Sequence, residues 1–184
     1  NDVINLTGSL SQTLTANQGT FSFWMKTTSF NSNGTGWNAH AFLGDDQNGG
    51  TQDSWWGVTD ASCHIGINTG SGPAVMSTTN VDQGAWHLVT LTREAANGNR
   101  QVFIDGVLEN SGIGVTGNLS ANHILQTFGR NLDGGHVVGN FDEVRASNTL
   151  RSQDWIKLSY ENQKQFQTLV EMDIIEPAPG LNYK

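Results

Sequence analysis

The sequence predicts an all-β domain of many short strands, a sandwich or a barrel, with a single helix near its C-terminus. Three observations carry this. Apolar residues alternate with polar ones at period two in several segments. Clusters of Gly, Asn, Ser and Asp separate those segments, as at 31–36 and 45–50. Only one stretch has helical spacing. Strands do not alternate with helices, so a β-α-β fold is excluded.

Taken in order, Thr20-Phe21-Ser22-Phe23-Trp24-Met25-Lys26-Thr27 sets Phe21, Phe23 and Met25 on one face and Trp24 on the other. Further strands are expected at 39–43, 54–59, 62–67 and 74–78. Ala85-Trp86-His87-Leu88-Val89-Thr90-Leu91-Thr92 repeats the style of the first. Residues 100–109 read as a hairpin, because Asp105-Gly106 supplies the positive-φ pair of a two-residue primed turn. Strands at 123–128 and 140–146 follow. Ser152 is a good N-cap for a helix over 153–163, with Asp154 in its first turn. Trp155, Leu158, Ile156 and Tyr160 form its apolar stripe. A last strand is expected over 166–170. Residues 176–184, opening on Glu176-Pro177-Ala178-Pro179-Gly180, then read as a linker that leads to further domains of the same polypeptide.

The 184 residues suit a single domain, with residues 1–175 as the folded unit. Charged residues are 14%, and 6 Trp and 8 Phe are available for burial, which argues against disorder. A net charge of −8 repels phosphate backbones and anionic lipid, so no nucleic-acid partner is expected. No apolar run approaches the ~18–20 residues of a membrane helix, so no membrane insertion is expected. The first residues lack a basic flank and an apolar run, so no signal peptide is visible and the chain is expected to start inside a longer precursor. Cys63 is the only cysteine, which excludes an internal disulfide. The Asn-, Ser-, Thr- and Gly-rich, Lys-poor texture points to a secreted or cell-surface protein.

Sugar rings stack on aromatic faces and present hydroxyls to amides and carboxylates, so the six Trp matter. Trp24 and Trp86 sit in strand patterns and are expected in the core; Trp155 is expected to pack the helix on the sandwich. Trp37 lies in a polar loop. Trp55 and Trp56 are adjacent, so a strand sends them to opposite faces and one is expected to be exposed. Trp37, Trp55 and Trp56, with Asn38, His40, Asp45, Asp46, Arg130 and His136, make up the expected glycan-binding surface. Gln47 lies in the same loop region. The five His are scattered, with no close-spaced pair for zinc.

Several segments together resemble the laminin-G-like, concanavalin-A-like jelly-roll family. They are Phe23-Trp24-Met25-Lys26, Trp86-His87-Leu88-Val89-Thr90-Leu91-Thr92, Val102-Phe103-Ile104-Asp105-Gly106 and Phe141-Asp142-Glu143-Val144-Arg145. The run from Asp142 through Arg151-Ser152-Gln153-Asp154-Trp155-Ile156 is similar to bacterial members. The resemblance implies a two-sheet antiparallel jelly-roll sandwich, used as a module of a secreted multidomain protein. It also implies carbohydrate binding or adhesion, and a structural calcium ion held by Asp142 with Asp2 as its partner. Asp45 and Asp46 are a second candidate pair for calcium. Some relatives of the fold are glycoside hydrolases. Glu171-Met172-Asp173-Ile174-Ile175-Glu176 matches the Glu-x-Asp-x-x-Glu of laminarinase-like enzymes, but it stands at the linker rather than in a central strand. The expected function is therefore a non-catalytic, lectin-like module that binds polysaccharide. The alternative is a calcium-stabilised adhesive spacer, and a glycoside hydrolase ranks last.

Overall fold

The computed structural model describes residues 4–29, 39–45, 53–70, 72–120, 125, 127–131 and 135–166. Its elements in chain order are β1 (Ile4–Asn5), α1 (Ser11–Leu14), β2 (Gln18–Lys26), β3 (Ala41–Asp45), β4 (Ser54–Thr59), β5 (Ile65–Thr69) and β6 (Val75–Met76). Then come β7 (Trp86–Glu94), β8 (Asn99–Ile104), β9 (Val107–Ile113), β10 (Thr127–Phe128), β11 (Arg130–Asn131), β12 (Asn140–Ser147) and α2 (Gln153–Gln163).

Two sheets face each other, as the jelly-roll resemblance implies. One has seven strands in the order β1-β10-β3-β4-β5-β6, with β11 beside β3. The other has five, β12-β2-β7-β8-β9. Pairing is antiparallel except between β11 and β3.

The core lies between the sheets. The inward residues of β2, Phe21, Phe23 and Met25, join Val89, Leu91, Val102 and Ile104 against Phe42, Leu43, Trp56, Ile65 and Ile67. Each side chain of this size contributes about 1.5–3 kcal/mol on full burial. Phe42 is the centre of an aromatic stack, with ring centroids 4.3 Å from Phe141, 4.4 Å from Phe23 and 5.4 Å from Phe128. β4 makes room for that ring with a bulge. The register shifts between Trp56 and Val58, and Gly57 takes φ +78°. A Cβ on Gly57 would stand 2.9 Å from the Cβ of Phe42.

Polar side chains tie the sheets together along the β6–β9 side. The Glu109 carboxylate accepts from Thr78 N at 2.7 Å, from Thr79 N at 3.0 Å and from both threonine hydroxyls. Asn110 donates to the Met76 carbonyl at 3.0 Å. Two arginines are fully buried and stand opposite each other in the β7–β8 ladder. Arg93 donates to the carbonyls of Thr15, Val115 and Gly117. Arg100 donates to Asn68 Oδ1 and to the carbonyls of Pro73 and Ile113.

The expected turn at Asp105-Gly106 is present with φ of +53° and +79°. Asp105 Oδ1 accepts from Leu88 N at 2.9 Å, and its Oδ2 lies 2.8 Å from His87 Nδ1. The expected cap is also present: Trp155 N donates to Ser152 Oγ at 3.2 Å. The helix stripe is narrower than expected. Ile156 is buried and Trp155, Ser159, Tyr160 and Gln163 are half-buried, but Leu158 is 56% exposed and drops out of the covered line. β1, α1 and β11 were not anticipated; they are too short to show a period. Of the strand expected over 166–170, only Phe166 is among the described residues, and it is exposed.

Candidate functional site

The outer face of the five-stranded sheet carries residues that the alternation of β2 and β7 turns away from the core. On β2 these are Ser22, Trp24 and Lys26, opposite Thr90, Leu88 and Trp86 of β7. On the other side of β2, β12 places Asn140 beside Lys26, Asp142 beside Trp24 and Arg145 beside Ser22. This corrects the expectation that Trp24 and Trp86 lie in the core. Trp24 is half-buried and Trp86 is 44% exposed. The strand pattern was legible, but its phase against Phe21 and Phe23 already put Trp24 on the far side. For Trp86, only the register with Lys26 reveals the face.

Helix α2 forms one wall above this face. It packs on the β8–β9 turn, where a Cβ on Gly106 would stand 3.0 Å from the Cα of Lys157. Near its C-terminal end, Tyr160 lies with its ring 5.8 Å from that of Trp24. Trp24 Nε1 donates to Gln163 Oε1 at 2.9 Å. Between helix and sheet opens a cleft of about 770 Å³, lined by Trp24, Trp86, Tyr160 and Gln163 together with Lys26, Asp142, Glu143 and Lys164.

β12 has a bulge here. Its register shifts between Asp142 and Arg145, and Glu143 takes φ +51°, a conformation uncommon for a residue with a Cβ. In a regular strand, consecutive residues point to opposite faces. The bulge instead lets both Asp142 and Glu143 line the cleft. Asp142 Oδ1 accepts from Glu143 N at 2.8 Å, and Glu143 is ion-paired to Arg145. Lys164 is ion-paired to Glu161 and its ammonium lies 5.7 Å from the Tyr160 ring centroid. The hydrogen bond with Glu161 holds the Lys164 ammonium above its ordinary range. Burial, followed by the nearby Asp105 charge, pushes the Tyr160 phenol up, so at neutral pH it keeps its proton and can donate. Neither Lys26 nor Asp142 has an ion-pair partner among the described residues.

The expected surface on the other sheet is partly assembled. The backbones of Arg130 and His136 pair in an isolated antiparallel bridge. The His40 ring packs so close to the adjacent Gly135 that a Cβ there would lie 1.7 Å from Nε2. Asp45 ends β3, opposite Ser54 of β4. The tryptophan pair departs from expectation. Trp56 is fully buried in the main core, its Nε1 bonded to Ser54 Oγ at 2.9 Å. Trp55 does point to the other face, but there it is buried in a satellite cluster with Ala39, Ala41 and Val58, so neither ring is exposed. The reason is that the β4 bulge aligns Val58 with Trp55 against Ala41 and covers the indole. Trp37, Asn38, Asp46 and Asp2 lie outside the described residues, as does the 171–176 acidic motif. Among the described residues no group of three or more His, Cys, Asp or Glu could hold a metal ion. No helix among the described residues is long and apolar enough to cross a membrane.

A second cleft of about 510 Å³ lies at the opposite, β1–β12 side, walled by Phe42, Phe128, Phe141, Val144 and Ile4. Its walls are mainly apolar, with His136 and Asn140 as their polar side chains. The cleft under α2 combines ring faces with hydrogen-bonding groups, and is the better match to a hydroxyl-rich ligand.

Comparison with known proteins agrees with this architecture. A laminin-G-type family model, described as the concanavalin A-like lectin/glucanases superfamily, matches residues 1–157. Among solved structures, the chain is similar to a heptameric SAP-like pentraxin from Limulus polyphemus, with TM-score 0.60 and 11% identity over 84% of this chain and 73% of that one. It is similar to the CBM40 of the Ruminococcus gnavus IT-sialidase, with TM-score 0.57 and 16% identity over 86% and 96% of the two chains. It is also similar to domain 4 of AbnA, a GH43 extracellular arabinanase from Geobacillus stearothermophilus solved with arabinotriose. There the TM-score is 0.57, with 17% identity over 78% of this chain and 66% of that one. At these identities the likeness shows the fold. No curated protein matches the chain in sequence.

Proposed function

The chain belongs to the concanavalin A-like lectin/glucanases superfamily, and within that fold we propose that it is a non-catalytic carbohydrate-binding module of a secreted or cell-surface protein. The observation that carries this reading is the cleft in which Trp86, Trp24 and Tyr160 present aromatic surface beside hydrogen-bonding side chains. Trp86 is 44% exposed and shares the cleft with the rings of Trp24 and Tyr160, and a contiguous apolar patch rimmed by polar groups marks an interaction site. Stacking of a sugar C–H face on Trp86 removes apolar area from water, while Lys26, Gln163 and Asp142 supply donors and an acceptor for hydroxyls.

The sugar-binding modules among the structural neighbours support the same reading. Catalysis is disfavoured because Glu143 is engaged by Arg145, leaving Asp142 as the cleft's single unpaired carboxylate, where glycoside hydrolysis needs a working pair. Calcium enters only as a stabiliser through Asp142 and Asp2. A melting temperature raised by millimolar calcium and lowered again in Asp142→Asn supports it, and an unchanged one removes it.

The test is a polysaccharide panel read by tryptophan fluorescence and affinity electrophoresis, with Trp86→Ala and Trp56→Phe beside the wild type. Binding that disappears in Trp86→Ala and survives in Trp56→Phe is the expected result. A silent panel favours the adhesive-spacer alternative.

A further inference from the structure

The charges around the cleft fall into two kinds. Glu143 is bound by Arg145, and Lys164 by Glu161. The remaining pair, Lys26 and Asp142, is free of ion-pair partners among the described residues and stands diagonally across the β2–β12 ladder. Diagonal neighbours in an antiparallel pair are about 7–8 Å apart; the two side chains form no ion pair with each other, and a ligand that offers an acceptor to one and a donor to the other can span them. A sugar diol offers both at once. The other groups left over are uncharged: the indole Nε1 of Trp86, with no partner among the described residues, and the amide nitrogen of Gln163, whose oxygen is held by Trp24.

A guanidinium fork suits the carboxylate of an acidic sugar best. The guanidinium on this face, Arg145, is held by Glu143 and is not among the residues that line the cleft. Lys26, which does line it, has the Asp142 carboxylate diagonally beside it to offset its charge. Asp142 opposes a second anion in the cleft, and the net charge of −8 disfavours approach of any polyanion.

We infer that this cleft selects uncharged glycans over acidic ones, with Lys26 and Asp142 gripping a pair of hydroxyls and Glu143 acting as a specificity residue whose carboxylate on the cleft wall disfavours an acidic sugar. This rests on the carbohydrate-binding reading above and adds the ligand class. Two consequences separate it from binding in general. Affinity for a neutral glycan is insensitive to salt, because no net charge is exchanged. Glu143→Gln, which keeps the shape, takes one negative charge off the cleft wall.

The experiment titrates wild type, Glu143→Gln and Asp142→Asn with arabinan, xylan, galactan and β-glucan, and with polygalacturonate and hyaluronan, at low and high salt. Expected is binding to at least one neutral polymer, at least tenfold tighter than to either acidic one and unchanged by salt. Glu143→Gln narrows that gap at low salt, and Asp142→Asn weakens the neutral ligand severalfold. Equal or tighter binding of the acidic polymers by the wild type overturns the inference while leaving the carbohydrate reading intact. So does a gap that Glu143→Gln leaves unchanged. Failure of every polymer to bind overturns both.

Discussion

Trp24 Nε1 donates to Gln163 Oε1 at 2.9 Å across 139 residues of chain, joining the outer face of the central strand β2 to the last turn of α2. The bond fixes both walls of the cleft at once. It also consumes the polar end of one indole and leaves that ring's face to the ligand.

Replacing Trp24 by Phe keeps a ring but removes the donor. The Gln163 oxygen loses its partner, and the change is expected to cost about 0.5–1.5 kcal/mol of stability and to weaken glycan binding several-fold. Trp86→Ala is expected to behave in the opposite proportion. Its stability change stays within about 0.5 kcal/mol, as for a surface position, while binding falls by about tenfold or more, since stacking of this kind is worth ~0.5–1.5 kcal/mol beyond area burial. Urea melts and binding isotherms on the same samples check both. Equal stability losses in the two variants would contradict the assignment of Trp86 to the ligand.

Gly106 links the hairpin turn to the helix. Alanine there meets a φ of +79° and the backbone of Lys157 at 3.0 Å. Gly106→Ala is expected to cost about 1–2 kcal/mol and to weaken binding, because the helix that carries Tyr160 and Gln163 must shift. Retention of full affinity would mean that α2 is not a wall of the site.

Glu109 predicts an acid-sensitive clasp. Burial pushes its carboxyl up, but hydrogen bonds from Thr79 and Thr78 outweigh this and hold it below the usual carboxylate range. A folded-state value below the unfolded one means that the stabilisation is present above the unfolded value of 4.5 and is lost as pH falls through the folded value. Urea midpoints measured from neutral to strongly acidic pH are expected to fall more steeply for the wild type than for Glu109→Gln. Parallel curves would remove Glu109 from the account of acid stability.

Arg93 is the reverse case. Burial first, and then the neighbouring Arg100 charge, lower its value to about 10. For a cation this means that the buried charge opposes folding below about pH 10, and that the opposition is relieved as pH climbs above it. The residue persists because three carbonyls need its donors. Arg93→Lys, which cannot fork, is expected to cost roughly 2 kcal/mol or more. Arg93→Met is expected to lose stability too, and to fall further behind the wild type as pH rises above about 10, both read by chemical denaturation.

Much of the sandwich was legible because alternation is a local property. The inward set of β2, the Asp105-Gly106 turn and the Ser152 cap each follow from a few adjacent residues, and each is present. The site was less legible. Strand pattern alone assigns Trp24 and Trp86 to the core, and it exposes one of Trp55 and Trp56 because adjacent strand residues point to opposite faces. A bulge at Gly57 covered Trp55, and the strand register turned Trp86 outward.

By itself, the sequence determined the β class, the inward face of β2, the tight hairpin and the helix start, since backbone dihedrals and side-chain alternation depend on near neighbours. Only the tertiary structure decided which indoles face solvent and which charges stand unpaired beside them. Those properties arise when strands far apart in the chain settle into register and two bulges rotate their neighbours. No local pattern encodes the result, because burial belongs to the assembled sheets rather than to any one strand.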